Sequence, residues 1–298
     1  MFLHLFGAST PSGEALRQLL HSGHYDYNLI PYSRSDHSFQ FADLSDPSSF
    51  IPAGEPGSPG FWISFAPIWL FAPFLHSLVN KHPERLVGLR GVIACSSSSA
   101  ITKRFAANSF DQELVEKLIT AEDELLDICK SLGITCRILR PTLIYGRVGD
   151  YVDNNLNQLL QLMRRLPLLP LPFHTGMRQP IHARQLASVT LALVDKLTTI
   201  DSELELPLRI ALGGDSQLSY AAMLHALQQS LPNSDPARRC RLVSLPTRLF
   251  QLCAVPLILH SPKAFEAVLR IGADLSGFIP CHQLLGEYPR PFPLPDLR

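Results

Sequence analysis

The residues near the start of the chain best suited to chemistry form the heptapeptide GASTPSG, residues 7–13. Gly7 directly follows an apolar run, where a tight strand-to-helix turn often demands backbone angles closed to other residues. Thr10 precedes Pro11. A residue before proline is pushed out of the helical region while proline suits the first helical position, so Thr10 is expected as an N-cap. Ser12 then falls in the first turn, and Gly13 permits close approach of helix and strand. Amides at such a helix start are well placed to hold a diphosphate, and Ser9 and Thr10 lie among them. The glycine usual in the middle of this spacing is Thr10 here, so the same residues also suit a plain strand-to-helix connection.

Two further strand ends carry reactive types. The second apolar run ends in YSRS, with Arg34 and no acid until Asp36. At that position an acid bonds ribose hydroxyls, whereas an arginine accommodates a 2′-phosphate, so Arg34 leans toward NADP over NAD. The alternative is a solvated loop arginine. The run CSSSSA (95–100) places four serines at another strand end, either as a small polar loop or as an active-site segment with Ser98 as first candidate.

These side chains need a scaffold, and the pattern of apolar runs supplies one. HLF is followed by a helix over 13–22, NLIPYS by a turn, WISFAP by a helix over 70–81, GVIACS by a loop and a helix over 112–132, and then TCRILRP. Strands alternating with helices imply parallel β-α-β units and a doubly wound α/β sheet of Rossmann type, with a nucleotide at the carboxyl ends of the strands. From residue 151 the character changes to a helix over 154–165, the proline-rich LPLLPLPF as an extended segment, RQPIH, a helix over 184–196 and a mainly helical tail. This reads as a dinucleotide-binding domain over 1–150, with 178–215 returning to the sheet. A smaller, mainly helical substrate lobe is expected from 151–177 and 216–298. The apolar segment 249–259 is read as lobe core, stopped or kinked by Pro256.

Composition narrows the function classes. The chain has 298 residues, enough for a full core, with 26 basic against 26 acidic side chains. That balance gives the whole chain no electrostatic footprint for nucleic acid. Six cysteines without a C-x-x-C pair read as packed, reduced thiols, and eleven scattered histidines as no metal site. The short apolar start reads as a first strand rather than a leader, and no apolar stretch is long enough for a transmembrane segment, so a cytoplasmic protein is expected.

In order and spacing, several motifs together resemble the extended short-chain dehydrogenases/reductases, specifically the atypical members related to NAD-dependent nucleotide-sugar epimerases and dehydratases. They are GASTPSG, ADLSD (42–46), ISFAP (63–67), CSSSSAITK (95–103), AEDELL, ILRPTLIYG (138–146), RQPIH (178–182) and GEYPRPF. The resemblance implies that Gly7, Ser9, Thr10 and Gly13 line a diphosphate, that Asp43 and Leu44 lie by an adenine, and that Ala66 and Pro67 pass under the cofactor. It further implies that Pro141 and Leu143 meet the nicotinamide side, that Ser98 bonds the reacting oxygen, and that Arg178 grips a substrate diphosphate. Planar guanidinium donors suit that last task; a loop arginine in a surface ion pair is the plain alternative.

The departure from the family lies in catalysis. Its Y-x-x-x-K pair, in which a lysine lowers the tyrosine pKa so that the phenol can carry a proton, falls on Leu114 and Leu118. Lys117 lies one position away, turned by about 100 degrees on a helix. Lys103 and Tyr145 are the nearest other proton handlers, and His182 is expected to order its loop. The reading is thus an NAD(P)-binding protein acting by hydride transfer on a nucleotide-linked sugar or similar small anionic substrate. Its rival is a cofactor-binding regulator or assembly protein without turnover, and a third reading is a membrane-peripheral reductase. Relatives often pair through two long helices, which implies a homodimer built on 112–132, although the apolar residues there equally suit the sheet.

Overall fold

The computed structural model describes residues 1–23, 25–54, 57–104, 106, 108–198, 206–255, 265, 268 and 270–294. Its centre is an eight-stranded sheet in which every neighbouring pair is parallel. Six strands come from the first half: β1 (Phe2–Phe6), β2 (Asn28–Ser33), β3 (Gln40–Phe41), β4 (Gly60–Ser64), β5 (Leu89–Cys95) and β6 (Thr135–Pro141). The chain runs outward from β1 through β2 to β3, then returns to β1's other side and continues through β4, β5 and β6 to Arg209–Gly213 and Ile279–Pro280. The reversal leaves a crevice at the carboxyl ends of β1 and β4, where open sheets of this kind bind ligands.

Helices α1 (Pro11–His21) and α6 (Ala183–Thr198) cover one face. Helices α2 (Ile68–Lys81) and α4 (Ser109–Ser131) cover the other, with the four-residue α3 (Ser99–Thr102) beside α4. Because both faces are covered, β1 and β4 are buried nearly throughout and read as continuous apolar runs rather than alternating ones. The α2/α4 side holds an aromatic cluster: Phe6 stacks on Tyr32 at 5.1 Å and meets Phe50, Trp62, Phe71 and Phe74 at 5.2–5.6 Å. Beneath it, burial pushes the His4 imidazole down to about 4. The Tyr32 hydroxyl accepts from the Ala53 amide and is also hydrogen-bonded to Nδ1 of the His4 ring, 3.0 Å away.

The apolar face of α4, including Leu118, Ala121, Leu125 and Ile128, is buried in this same core. It therefore serves the chain's own packing. Among the described residues no helix is long and apolar enough to cross a membrane. Cys95, Cys129, Cys136, Cys240 and Cys281 are free thiols.

The second half departs from the expected pattern in three places. The extended segment contains a strand, LLPLP at Leu168–Pro172, whose parallel partner Arg241–Leu245 is a strand within what reads as a helical tail. Ile279–Pro280, expected in the lobe, instead extends the main sheet beyond Arg209–Gly213, and its following helix Cys281–Leu285 packs on α6. Two-residue pairings of this kind leave no periodic signal in a sequence. In the segment 249–259, helix α8 (Thr247–Ala254), the next after α7 (Tyr220–Ser230), ends before Pro256, and residues 256–259 lie outside the described residues. Among the described residues of the core expected there, Phe250 is buried, whereas Leu249, Leu252 and Val255 are exposed.

Candidate functional site

The turn after β1 is built around two glycines. Gly7 has φ +79°, and a Cβ on it would lie 2.7 Å from the Ala66 amide nitrogen. The chain leaving β4 thus crosses directly against Gly7, bringing Ala66 and Pro67 to the β1 end. A Cβ on Gly13 would lie 2.5 Å from the Gly7 carbonyl oxygen, so α1 starts in contact with the turn it follows. Thr10 is the N-cap, with extended backbone. Its hydroxyl donates to the Gly7 carbonyl at 2.8 Å and accepts from the Gly13 amide at 3.0 Å. A side chain is accommodated in a position usually given to glycine because it folds back and closes the turn. The Ser9 and Thr10 amides have no acceptor among the described residues.

This turn opens on a cleft of about 360 Å³ lined by Gly7, Ser9, Thr10, Arg34, Asp43, Leu44, Ala66 and Pro67, over a floor of Phe6 and Tyr32. Eight residues singled out in the sequence therefore meet in one place, and Gly13 stands behind them. Ser33, not singled out, shapes the rim. Its buried hydroxyl accepts from the Ser35 and Asp36 amides at 3.3 and 3.1 Å and so sets the loop that presents Arg34. Its only sequence signal is its place at a strand end. The Asp43 carboxyl is held below the usual range by the hydroxyl and amide of Ser45, with a smaller contribution from the Arg34 charge. Next to Arg34, Asp36 accepts from the Tyr151 hydroxyl at 2.7 Å, which ties the segment after β6 to this loop. Hydrogen bonds from Ser38 and Tyr151 hold the Asp36 carboxyl at about 2.

The other nominated residues lie beyond this cleft. Ser98 caps α3, half-buried, and its amide donates to the Pro141 carbonyl at 2.9 Å, joining the serine run to the end of β6. Pro141 is buried, while Leu143 packs against the lobe core and accepts from the Ile181 amide. Ser96 is fixed from below: its hydroxyl donates to Glu122 at 2.5 Å. Glu122, from AEDELL, is fully buried and also takes Arg140 in a two-pronged pair and Arg209 at 3.0 Å. Sequence reading gave this glutamate no role; its position relative to the Tyr/Lys places was its one signal.

None of the nominated proton carriers is uncommitted. Lys103 donates to Asp111 at 2.7 Å, and Asp111 also holds Arg270. Burial opposes the Asp111 charge, yet hydrogen bonds from Asn108, Lys103 and Arg270 keep its carboxyl at about 2. Tyr145 is buried between the His182 and Phe292 rings, and its oxygen accepts from the Leu294 amide at 3.0 Å. Leu118 is core, Leu114 packs against it, and Lys117 sits 5.0 Å over the Trp69 ring. His182 is fully buried and accepts from the Arg184 amide, ordering its loop.

Arg178 is engaged within the chain itself. Its guanidinium donates to the carbonyls of Met177, Ala273 and Arg270 at 2.8, 2.5 and 2.6 Å, it lies 5.2 Å from the Tyr220 ring, and burial lowers its pKa. Its fork thus organises the 270–273 turn against the strand that carries it.

No family model matches the sequence, and no curated protein matches it. Solved structures do match. A UDP-glucose 4-epimerase from Bifidobacterium longum, in complex with NAD+ and UDP, is 14% identical with TM-score 0.62, covering 97% of this chain and 94% of that one. A UDP-glucuronic acid 4-epimerase from Bacillus cereus, in complex with NAD, is 18% identical with TM-score 0.58, covering 83% and 88%. A GDP-mannoheptose C4 reductase from Campylobacter jejuni, with NADP bound, is 14% identical with TM-score 0.59, covering 83% and 87%. The chain is built on the Rossmann-type α/β fold of these nucleotide-sugar epimerases and reductases.

Proposed function

We propose that this chain binds a nicotinamide dinucleotide, NADP in preference to NAD, and exchanges hydride with a nucleotide-linked sugar or similar small anionic substrate. The observation that carries the reading is the cleft at the sheet's reversal point, where a glycine-bounded helix start, Arg34, Asp43, Leu44, Ala66 and Pro67 converge. The fit is chemical as well as spatial. The Ser9 and Thr10 amides would hold a diphosphate, Leu44 and Pro67 would offer an apolar flank to an adenine, and Arg34 would supply the cation for a 2′-phosphate. The nicotinamide when bound would supply the hydride acceptor or donor. Ser98, at the end of β5, would orient a substrate oxygen, with Pro141 and Leu143 beside the nicotinamide and Arg178 holding the turn that flanks the substrate lobe.

A second reading, a nucleotide-holding regulatory or assembly protein without turnover, is favoured by a specific observation. Leucines stand at the Tyr and Lys positions, Lys103 is locked in an ion pair, and Tyr145 is buried between rings. Absorbance of the bound nicotinamide distinguishes the two. Mixing NADP-loaded protein with UDP- and GDP-linked sugars is expected to produce reduced nicotinamide with at least one sugar. Tight nucleotide binding with no spectral change across the series would assign the chain to the second reading.

A further inference from the structure

Although the chain is neutral overall, one part of it is not. No acidic residue occurs between positions 154 and 194, nor between 236 and 265. These two stretches supply helix α5 (Asn155–Arg165), both strands of the Leu168–Pro172/Arg241–Leu245 pair, and α8. The pair is pleated, so Leu169, Leu171 and Leu242 turn inward to the lobe core while Leu168 and Arg241, directly opposite one another, share the outer face. The Phe173 amide donates to Leu245 at 2.7 Å, which sets Phe173 beside the start of α8.

Exposed apolar side chains of this unit include Leu168, 50% exposed, on the outer face of the pair, and at its other end Phe173 at 68% with Leu249, Leu252 and Val255 of α8; this second group is the apolar strip. Leu249 and Leu252 are three residues apart and share a helix face. Arg165, Arg239, Arg241 and Arg248 of the same acid-free stretches are all exposed; Arg241 lies opposite Leu168 and Arg248 directly precedes Leu249 in α8. The acid just before the second stretch, Asp235, is already taken by Arg164 at 2.8 Å. Exposed apolar side chains rimmed by one sign of charge mark an interaction surface rather than ordinary surface.

We propose that this face of the lobe seats on an anionic phospholipid surface, with the apolar strip in the headgroup–acyl boundary and the arginines on lipid phosphates. Charge complementarity selects this occupant. A second copy packed on the same face about a two-fold axis would set arginines against arginines, with no acid in either stretch to relieve them. The proposal is independent of the nucleotide reading, since none of these residues lines the cleft.

Flotation of the full chain with vesicles tests it. The protein is expected to float with phosphatidylcholine vesicles that contain phosphatidylglycerol and not with phosphatidylcholine alone, and about 0.5 M salt should release it by screening. Replacing the exposed pair as Leu249→Ser with Leu252→Ser should abolish flotation. Arg239→Gln, Arg241→Gln and Arg248→Gln together should lower partitioning roughly a hundredfold. Thermal melting should be unchanged in both variants, because every altered side chain is exposed. Failure of the folded wild type to float with the anionic vesicles would overturn the proposal, as would flotation unaffected by either variant. Self-association lost in the leucine variant, without flotation of the parent, would assign the face to a second copy; binding restricted to an acidic protein would assign it to that partner.

Discussion

Alanine at Gly13 is expected to destabilise the protein and to empty the cleft, against the usual trend for helices. Gly→Ala inside a helix normally gains about 0.5–1 kcal/mol. Here the new methyl would lie 2.5 Å from the Gly7 oxygen, 2.8 Å from the Ala8 oxygen and 2.9 Å from the Ala8 Cα, all backbone atoms with no flexible side chain to yield. The helix start must move away from the β1 end, at a cost of about 1–3 kcal/mol, the range for overpacking a close contact. In a chain of this size that lowers Tm by roughly 5 °C. The same displacement turns the Ser9 and Thr10 amides off their target, so NADPH affinity should fall at least about tenfold. Gly23→Ala serves as the control. Gly23 has φ +80° with nothing near its added Cβ, so it should lose about 1 kcal/mol from backbone strain and leave nucleotide affinity intact. Gly13→Ala with parental Tm and affinity would show that the turn is not packed this way.

Neutralising Glu122 is the second change with a large expected effect. Glu122→Gln keeps the shape but removes the counter-charge from Arg140, whose side chain is 15% exposed, and from Arg209, and it weakens the bond that fixes Ser96. Leaving a buried arginine without its partner costs about 3–5 kcal/mol. Arg209 is more exposed and also pairs with Asp123, so the lower end of that range is expected, about 3 kcal/mol, readable in a denaturant titration. Asp123→Asn removes the other acid on Arg209, but at an exposed position, and should cost under about 1 kcal/mol. Equal losses from the two variants would show that Glu122 is an ordinary surface-type pair. Because Ser96 leads directly into Ser97 and Ser98, the Glu122 change should also loosen the serine run at the end of β5.

The parts of the site legible in the sequence are those governed by neighbours in the chain. Gly7, Thr10, Pro11 and Gly13 act on one another within seven residues, and the N-cap, the positive φ and the helix start all follow from local backbone preference. The resemblance in motif order then nominated Asp43, Leu44, Ala66 and Pro67, which the sheet brings to the same cleft. Residues whose role is set by distant partners were not legible. Arg178 meets the Ala273 carbonyl 95 positions on, Tyr145 meets Leu294 at a separation of 149, and the ion pair that holds Lys103 is completed by Arg270, 159 positions from Asp111. Each has the residue type for phosphate or proton chemistry, and each is spent on holding the fold. The fold class was readable from alternating strands and helices, whereas the added edge strand Ile279–Pro280 and the strand Arg241–Leu245 depend on tertiary pairing that short segments do not announce.

Calorimetric titration of the purified protein with NADPH and NADH tests the central claim most directly. The account predicts one NADPH per chain with Kd on the order of 10 μM or tighter, weaker NADH, and an Arg34→Glu variant in which the preference disappears while NADH binding is retained. Absence of binding by either nucleotide up to about 1 mM would contradict it.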